Sequence, residues 1–441
     1  MQTINIDTSN PGRIIIDDQV YYLENNGIDG MFQNPTTNEK ILLKPYTDQQ
    51  AIEAIEAFEY DILAVEGGNR AFKNIIYPQI VKQNPVLNGE ENYYAFTRIP
   101  NFSEDDVHKI KDALAIGSFS MYSRIMTAIN LLESLSAIYG YIGKNILSIH
   151  PEDIYVNIKN GDVYIWIEQW LRKVENLETV EDFGFPPEWY SRTEKIVTKA
   201  DCNFFIAYVI FRLFCKDEPF DGSETLLQFP LLTNEAIHLI HANKFEFVLT
   251  KGSDYVSNYI GQELRKKWYA LPTFLRNELE KNLTIGIENP NERTEISQWL
   301  KEMRKVRDCL VYVNGQLRFC NPAISNKVLF MKIDDYKIPV WPQKAIYWYH
   351  VDIPINESKG GVVGGVVSKE NCYYLRNLSG NVWGVTLNNT SFWIHPGCEV
   401  EIVEKMVIQL ENGKMIKIVN GSIADDLQEK RDVVDQKEGV D

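Results

Sequence analysis

The sequence predicts an α+β protein built from a strand-rich N-terminal segment, a helical middle segment and an all-β C-terminal segment. Alternating apolar residues separated by Asn/Gly turns occupy residues 13–96 and return after residue 326. Apolar residues at helical spacing fill the part between them. A chain of 441 residues, 44% of them apolar, is long enough for several domains that each bury a core.

In the N-terminal segment, alternating residues predict a β-meander followed by a helix. The predicted strands are 14–16, 20–23, 40–44 and 93–96. Thr47 or Asp48 caps the helix, whose apolar residues recur three or four positions apart from Ile52 to Ile62.

The middle segment begins with a helix over residues 123–139. A short hairpin follows, with strands at 154–156 and 163–165 and a turn at Asn160-Gly161. Further helices are predicted at about 199–216, 232–245, 254–268, 272–283 and 294–308.

Short strands separated by Gly/Asn turns predict a small β-sandwich or barrel in the C-terminal segment. The predicted strands are 328–330, 345–351, 373–375, 382–387, 400–402 and 415–418, with another strand beside the glycines of 360–365. Residues 422–441 are rich in acidic residues and contain no aromatic residue, so we expect a disordered acidic tail.

Composition and charge exclude several classes of partner. The formal net charge is −16 and no Lys/Arg-rich run is present, so we expect neither nucleic acid nor an anionic membrane as a partner. The most apolar stretch is residues 204–215, shorter than the roughly 20 residues of a membrane-spanning helix. The N-terminus lacks the pattern of a secretory signal, and the six cysteines form no C-x-x-C pair, which favours a cytoplasmic protein.

Several motifs follow one another in a characteristic order. Lys44 ends a predicted strand, and Glu59 lies on the helix after it. Glu188 lies in Pro-Glu-Trp, Asp201 follows it by thirteen residues in Thr-Lys-Ala-Asp, and Arg293 ends Asn-Pro-Asn-Glu-Arg. Together with the order of elements over about 13–308, these motifs resemble the protein kinase family, in particular bacterial serine/threonine kinase-like proteins.

The resemblance implies a two-lobed protein-kinase-like fold, with an N-terminal lobe at 1–100 and a helical C-terminal lobe at 101–310. It implies that Lys44 and Glu59 pair near the nucleotide phosphates. It also implies that Asp201 braces the catalytic loop and that Glu188 pairs with Arg293. The glycines of the phosphate-covering turn would be Gly27 and Gly30.

The residues that carry the chemistry of this family are altered. The segment 150–156 resembles the catalytic-loop motif, which places Ser148 where the family has its catalytic Asp and Asp153 at the metal-binding Asn. The second metal ligand falls on Ile167, or on Glu168 if the register shifts by one. A serine hydroxyl does not serve as a general base near neutral pH. We therefore expect no catalytic residue at 148 and no bound metal.

The C-terminal segment, residues 311–421, is faintly similar to forkhead-associated (FHA) domains, which are β-sandwiches that bind phosphothreonine. The similarity lies in residues 373–381 and in the turn at Pro396-Gly397. The recognition residues of that family have no match, and Lys369 and Arg376 are the only cations nearby. We expect a domain for docking or packing.

The sequence therefore predicts a pseudokinase that acts as a signalling scaffold or regulator through protein–protein contacts. Its expected partners are signalling proteins such as kinases, phosphatases or their substrates. No cofactor is expected, with ATP binding without Mg²⁺ left open. The alternative is an atypical ATP-dependent phosphoryl or nucleotidyl transferase that uses Asp153 and Glu168 as metal ligands.

Overall fold

A computed structural model of the chain shows a mixed α and β protein with several sheets, as the sequence predicts at this level. The structure describes residues 2–6, 12–16, 18–24, 30–46, 52–53, 55–57, 74–84, 92–100, 105–142, 153–167, 186–193, 198–220, 247–249, 259–320, 328–353, 361–370 and 372–420. None of the helices in these ranges is both long and apolar enough to cross a membrane.

The chain divides into two compact units. The first comprises Met1–Arg265 and Leu279–Leu300, and the second comprises Lys266–Glu278 and Lys301–Asp441. The second unit thus includes helical residues that the sequence analysis placed ahead of residue 311.

The N-terminal strands of the first unit form a closed barrel. In chain order the strands are β1 (Gln2–Ile6), β2 (Arg13–Ile16), β3 (Gln19–Leu23), β4 (Met31–Gln33), β5 (Lys40–Tyr46), β6 (Ile75–Ile76), β7 (Pro78–Asn84) and β8 (Tyr93–Ile99). The barrel order is β1-β2-β3-β4-β5-β8-β7, and β6 lies outside it. A parallel pairing of β1 with β7 closes the barrel, because it joins the two strands that would otherwise be edges.

Alternation along these strands fills the barrel with apolar side chains. The residues of this core are Ile4, Ile14, Ile16, Tyr21, Phe32, Ile41, Leu43, Val81 and Phe96. Residues 52–53 and 55–57 are helical. Ile52 and Ile55 are buried against Ile80 and Ala95 in a second small core, so the predicted helix packs on the β7 and β8 strands.

A four-stranded sheet follows the barrel. It contains β6, β9 (Val107–Lys109), β10 (Ile154–Asn157) and β11 (Val163–Trp166), in the order β6-β11-β10-β9. The β10–β11 hairpin confirms the hairpin predicted at 154–156 and 163–165. Two hydrogen bonds hold its turn on the helix Met121–Ile142, which precedes the hairpin in the chain: Ser123 Oγ donates to the Lys159 carbonyl across 2.7 Å, and Asn130 Nδ2 to the Gly161 carbonyl across 2.9 Å.

Nine α-helices are described. They are α1 (Ile110–Ala113), α2 (Met121–Ile142), α3 (Pro187–Ser191), α4 (Lys199–Cys215), α5 (Tyr259–Ala270), α6 (Thr273–Leu283), α7 (Ile285–Glu288), α8 (Ile296–Asp308) and α9 (Trp348–Val351). Helices α2, α4, α5, α6 and α8 confirm those predicted at 123–139, 199–216, 254–268, 272–283 and 294–308. The helix predicted at 232–245, and the cap predicted at Thr47 or Asp48, lie outside the described residues. Nearly every side chain of α4 is buried, which makes it the central helix of the first unit.

The C-terminal strands are β12 (Leu310–Val313), β13 (Gln316–Phe319), β14 (Leu329–Ile333), β15 (Tyr336–Pro339), β16 (Ala345–Tyr347), β17 (Val362–Lys369), β18 (Cys372–Asn377), β19 (Trp383–Leu387), β20 (Thr390–Ile394), β21 (Glu399–Glu401), β22 (Val407–Gln409) and β23 (Met415–Asn420). The β12 and β13 strands form a separate two-stranded sheet. The others form a six-stranded sheet, β15-β14-β23-β22-β19-β20, and a four-stranded sheet, β16-β17-β18-β21. Side chains from both larger sheets share one apolar core, with Trp383 and Leu375 among its fully buried members.

One predicted strand in this unit is wrong in its second half. The strand predicted over 345–351 ends at Tyr347, and helix α9 begins at Trp348. The cause is His350, whose Nδ1 accepts a hydrogen bond from the Tyr347 backbone N–H across 3.0 Å. His350 Nε2 lies 2.8 Å from a carboxylate oxygen of the buried Asp308. Because the chain turns into a helix at Trp348, His350 Nδ1 reaches the Tyr347 N–H while Nε2 reaches Asp308, and both ring nitrogens have partners.

Candidate functional site

The structure describes seven of the eleven motif residues singled out from the sequence. These seven are Gly30, Lys44, Asp153, Ile167, Glu188, Asp201 and Arg293. The other four, Gly27, Glu59, Ser148 and Glu168, lie outside the described residues. The predicted pairing of Lys44 with Glu59 and the environment of Ser148 therefore stay predictions.

Gly30 has a conformational reason to be glycine. Its φ is +81°, and a Cβ atom at this position would lie 2.3 Å from the Leu43 carbonyl oxygen. The Leu43 backbone N–H also donates to the Gly30 carbonyl across 2.8 Å. Close contact with β5 therefore accounts for this glycine without a phosphate.

Lys44 lies on β5, where it pairs in register with Ala95 of β8. Its side chain is partly buried. The pairing of β5 with β4 covers only Lys40–Leu42, so strand pairing fixes the backbone of Lys44 on the β8 side alone.

Asp153 and Ile167 flank the β10–β11 hairpin. Asp153 immediately precedes β10 and is 4% exposed. Ile167 immediately follows β11, is fully buried, and its N–H donates to the Ile76 carbonyl across 3.0 Å. The Ile167 side chain is apolar and buried, so it offers no side-chain oxygen to a cation. In the described part of the chain no three His, Cys, Asp or Glu side chains cluster as metal ligands would.

The structure brings Glu188 and Arg293 together. Arg293 Nη1 lies 2.7 Å from Glu188 Oε1, and Nη2 donates to Oε2 across 2.9 Å. The Arg293 side chain is fully buried. Its Nε donates to the Gly286 carbonyl across 2.7 Å and Nη1 to the Ala200 carbonyl across 3.1 Å, while the guanidinium lies 5.1 Å from the Phe204 ring centre. One side chain thus connects α3, the start of α4 and the segment before α8.

Asp201 lies beside this pair and caps α4. Its Oδ2 accepts the Thr198 N–H across 2.7 Å, and Thr198 Oγ1 accepts the Asp201 N–H across 3.3 Å, which together form a capping box. Arg192 donates to both carboxylate oxygens of Asp201, across 2.7 and 2.8 Å. This bidentate hydrogen bond is the main cause that raises the pKa of Arg192.

Arg192 also joins the two acidic residues of the cluster, since its Nη2 lies 3.6 Å from Glu188 Oε1. The sequence analysis did not identify Arg192. The available signal was its spacing, because an arginine four residues after Glu188 on a helix lies on the same face. We call Glu188, Arg192, Asp201 and Arg293 the ionic frame.

The ionic frame contains two cations and two carboxylates in mutual contact. Such paired and hydrogen-bonded charges hold elements in place, because removal of Arg192 or of Glu188 leaves the buried Asp201 or the buried Arg293 without its ionic partner. The chemistry this arrangement supports is the positioning of α3 and α4, not nucleophilic attack or proton transfer.

In the second unit, the two cations noted beside the FHA-like segment share one carboxylate. Arg376 Nε donates to Glu399 Oε1 across 2.7 Å, and Lys369 forms an ion pair with Glu399 Oε2. A phosphate group would therefore compete with Glu399 for both cations.

No protein-family model matches this chain, and no curated protein matches it. Family membership therefore assigns no role to any of these residues, and their contacts carry the case for function.

Proposed function

We propose that this chain is a kinase-like protein without phosphotransfer activity, which acts as a scaffold or regulator through protein–protein contacts. The observation that carries the proposal is the contrast between the ionic frame and Ile167. The residues that brace such a fold are in contact with one another, whereas an apolar residue occupies the position expected for a metal ligand.

The order of elements supports the two-lobed kinase-like fold as part of this proposal. Strands and a short helix come first, the helices α1 and α2 and the β10–β11 hairpin follow, and the elements from α3 to α8 are helices. The Glu188–Arg293 ion pair is a contact that the resemblance predicts independently of that order. The catalytic-loop segment that Asp201 is expected to brace lies outside the described residues. We propose lobes at 1–100 and 101–310, followed by the FHA-like domain and the acidic tail.

Loss of catalysis follows from what phosphoryl transfer needs. The reaction depends on Mg²⁺ to neutralise phosphate charge and on a base to orient the attacking hydroxyl. Ser148 lies where the resemblance places the base, and the buried Ile167 lies where it places one metal ligand, or Glu168 does if the register shifts by one. Asp153 remains at the first metal-ligand position, and Glu168 supplies a second carboxylate only if the register shifts by one. A site that lacks the base and has an apolar side chain at a metal-ligand position lacks two of the groups that the reaction needs.

The proposed partners are cytoplasmic signalling proteins, such as kinases, phosphatases or their substrates. Competition from Glu399 for Lys369 and Arg376 favours a docking domain over a phosphopeptide-binding one. The net charge of −16 supports a partner other than nucleic acid.

A phosphotransfer assay tests the proposal. The purified chain is incubated with radiolabelled ATP and Mg²⁺ or Mn²⁺, alone and with general protein substrates. We expect incorporation equal to that of a heat-denatured sample. Metal-dependent incorporation that is lost in both Asp153→Ala and Glu168→Ala would favour the atypical transferase instead.

A further inference from the structure

The β20 strand is an open sheet edge with two exposed aromatic residues. It is the last strand of the six-stranded sheet, and among the described residues no strand pairs with its outer side. Trp393 is 71% exposed and Phe392 is 39% exposed. Unpaired backbone N–H and C=O groups along such an edge bind another extended strand.

The backbone groups that face outward follow from the hairpin turn. β19 and β20 are joined by Asn388 and Asn389, whose φ values of +49° and +64° define a type I′ turn. The residues flanking such a turn, Leu387 and Thr390, are hydrogen-bonded to each other. Because hydrogen-bonded pairs alternate along an antiparallel ladder, Ser391 and Trp393 present their N–H and C=O groups to the open edge.

The other edges of the two large sheets carry protection that β20 lacks. β15 contains Lys337 and Pro339, β21 contains Glu399 and Glu401, and β16 has only three residues. Short strands, charges and proline are the usual means of preventing edge-to-edge pairing.

Residues 377–398 contain no Asp, Glu, Lys or Arg in a chain that is 24% charged. Depletion of charge with enrichment of aromatics is typical of the centre of a protein interface.

We propose that β20 pairs in antiparallel fashion with β20 of a second copy of this chain, about a two-fold axis at Phe392. Ser391 of each copy then forms a hydrogen-bonded pair with Trp393 of the other, which satisfies all four outward-facing backbone groups on each strand. The two Phe392 side chains meet at the axis in the closely spaced, non-hydrogen-bonded position.

Self-pairing is favoured over an unrelated partner by symmetry and by charge. The outward-facing N–H and C=O groups belong to Ser391 and Trp393, one residue on each side of Phe392. A two-fold axis at Phe392 therefore places the donors of each strand opposite the acceptors of the other. The protein carries a net charge of −16, and a contact between two copies needs a surface without acidic residues. A contact of two five-residue edges covers less than the roughly 1,200 Å² of stable interfaces. We therefore expect a reversible dimer with a roughly micromolar Kd.

Trp393 also has a role within its own sheet. Its ring lies over Gly384 of β19, where a Cβ atom would be 3.2 Å from Trp393 Cζ3. Substituting Trp393 would therefore disturb the hairpin as well as the edge. Phe392 and Ser391 are the better positions for a test, because Ser391 is exposed and its N–H faces away from β19.

Sedimentation velocity of the full chain over a range of concentrations tests the proposal. We expect a monomer–dimer equilibrium that Phe392→Lys weakens by at least about tenfold, because two like charges would meet at the axis. Ser391→Pro removes an outward N–H without removing a backbone hydrogen bond to β19, so we expect weakening there too. It also removes the hydrogen bond between Ser391 Oγ and Thr386 Oγ1 of β19, and Ser391→Ala, which should leave the dimer intact, controls for that loss. Met415→Lys is the matched control, since Met415 is an exposed apolar residue on an inner strand of the same sheet.

Hydrogen exchange of peptides covering residues 388–398 gives a second readout. The amides of Ser391 and Trp393 should become more protected as protein concentration rises, and this gain should vanish in Ser391→Pro. A chain that is monomeric at all concentrations overturns the proposal, as does a dimer unaffected by both edge substitutions. Protection that is independent of concentration would assign the edge to a segment of the same chain and would also overturn it.

Discussion

Arg293 and Glu188, 105 residues apart in the chain, form an ion pair in which Nη1 lies 2.7 Å from Oε1 and Nη2 donates to Oε2 across 2.9 Å. Arg192 extends this pair to Asp201. The ionic frame thus fixes α3 and the start of α4 relative to the segment before α8. The frame therefore stabilises the fold by joining residues that are far apart in the sequence.

The first prediction concerns Arg293. Arg293→Ala should lower the free energy of unfolding of the first unit by about 3 to 5 kcal/mol, because Glu188 and two carbonyls lose a buried partner. The measurement is urea-dependent hydrogen exchange of α4 amides. Lys199→Ala is the control, since its ion pair with Glu295 is exposed and should contribute less than about 1 kcal/mol. Equal effects of both substitutions would contradict the role assigned to Arg293.

Asp201 combines a helix cap with a buried ion pair. Asp201→Ala should destabilise α4 by about 3 kcal/mol, because Arg192 and the Thr198 N–H both lose their acceptor. Thr198→Ala removes the hydroxyl that accepts from the Asp201 N–H and donates to Asp201 Oδ2. It should cost about 1 kcal/mol, because Arg192 and the Thr198 N–H still hold the Asp201 carboxylate. The same exchange measurement compares them, and an equal loss in the two variants would show that the ion pair with Arg192 contributes nothing.

Local signals predicted the β10–β11 hairpin well. Asn160-Gly161 provides the turn, and alternating apolar residues on each side supply the strands, so a short window of sequence holds the necessary information. The contact between Glu188 and Arg293 is not local. The sequence predicts this contact only because the motifs around both residues resemble those of one family. The spacing between the two residues carries no signal for a contact.

Long-range pairings explain what the sequence did not predict. The barrel closes because Gln2–Asn5 pair with Val81–Asn84, and neither segment carries a signal for the other. The strand predicted through 351 stops at Tyr347 because His350 contacts Asp308, which lies 42 residues earlier. The sequence does not identify Arg192 as a member of the ionic frame, because its role depends on an ion pair with Asp201 that forms only in the folded chain.

Gly161 provides a test of how the hairpin packs on α2. Its φ is +80°, and an added Cβ would lie 2.4 Å from the Ser123 carbonyl oxygen and 2.7 Å from Met126 Cβ. Gly161→Ala should therefore destabilise the first unit by at least about 2 kcal/mol in urea unfolding. Gly117→Ala is the matched control, because no atom lies within 4 Å of the added Cβ there. A tolerated Gly161→Ala would mean that the hairpin lies farther from the helix.

The stability of the second unit should depend on pH through Lys344. Burial lowers the pKa of Lys344 from 10.5 to about 8. Its Nζ donates to the carbonyls of Arg307 and Asp308 across 3.3 and 2.7 Å. Between pH 8 and 10.5 the unfolded chain keeps a proton that the folded chain has lost, so this group makes folding more favourable as pH rises.

The comparison of wild type with Lys344→Met isolates this contribution. The unfolding free energy of wild type minus that of the variant should increase by roughly 2 to 3 kcal/mol between pH 7.5 and 10. Urea unfolding at the two pH values measures it. A difference that stays constant, or that shrinks with rising pH, would rule out a buried lysine with a lowered pKa.

Thermal unfolding of the full chain with ATP, ADP or GTP, each with and without Mg²⁺, tests the central claim most directly. A ligand at 100 times its Kd adds about 2.7 kcal/mol of stability, which a melting curve resolves. The account predicts that Mg²⁺ adds nothing: either no nucleotide stabilises the chain, or ATP stabilises it without metal and Lys44→Ala removes the effect. Stabilisation that requires Mg²⁺ and is lost in both Asp153→Ala and Glu168→Ala would contradict it.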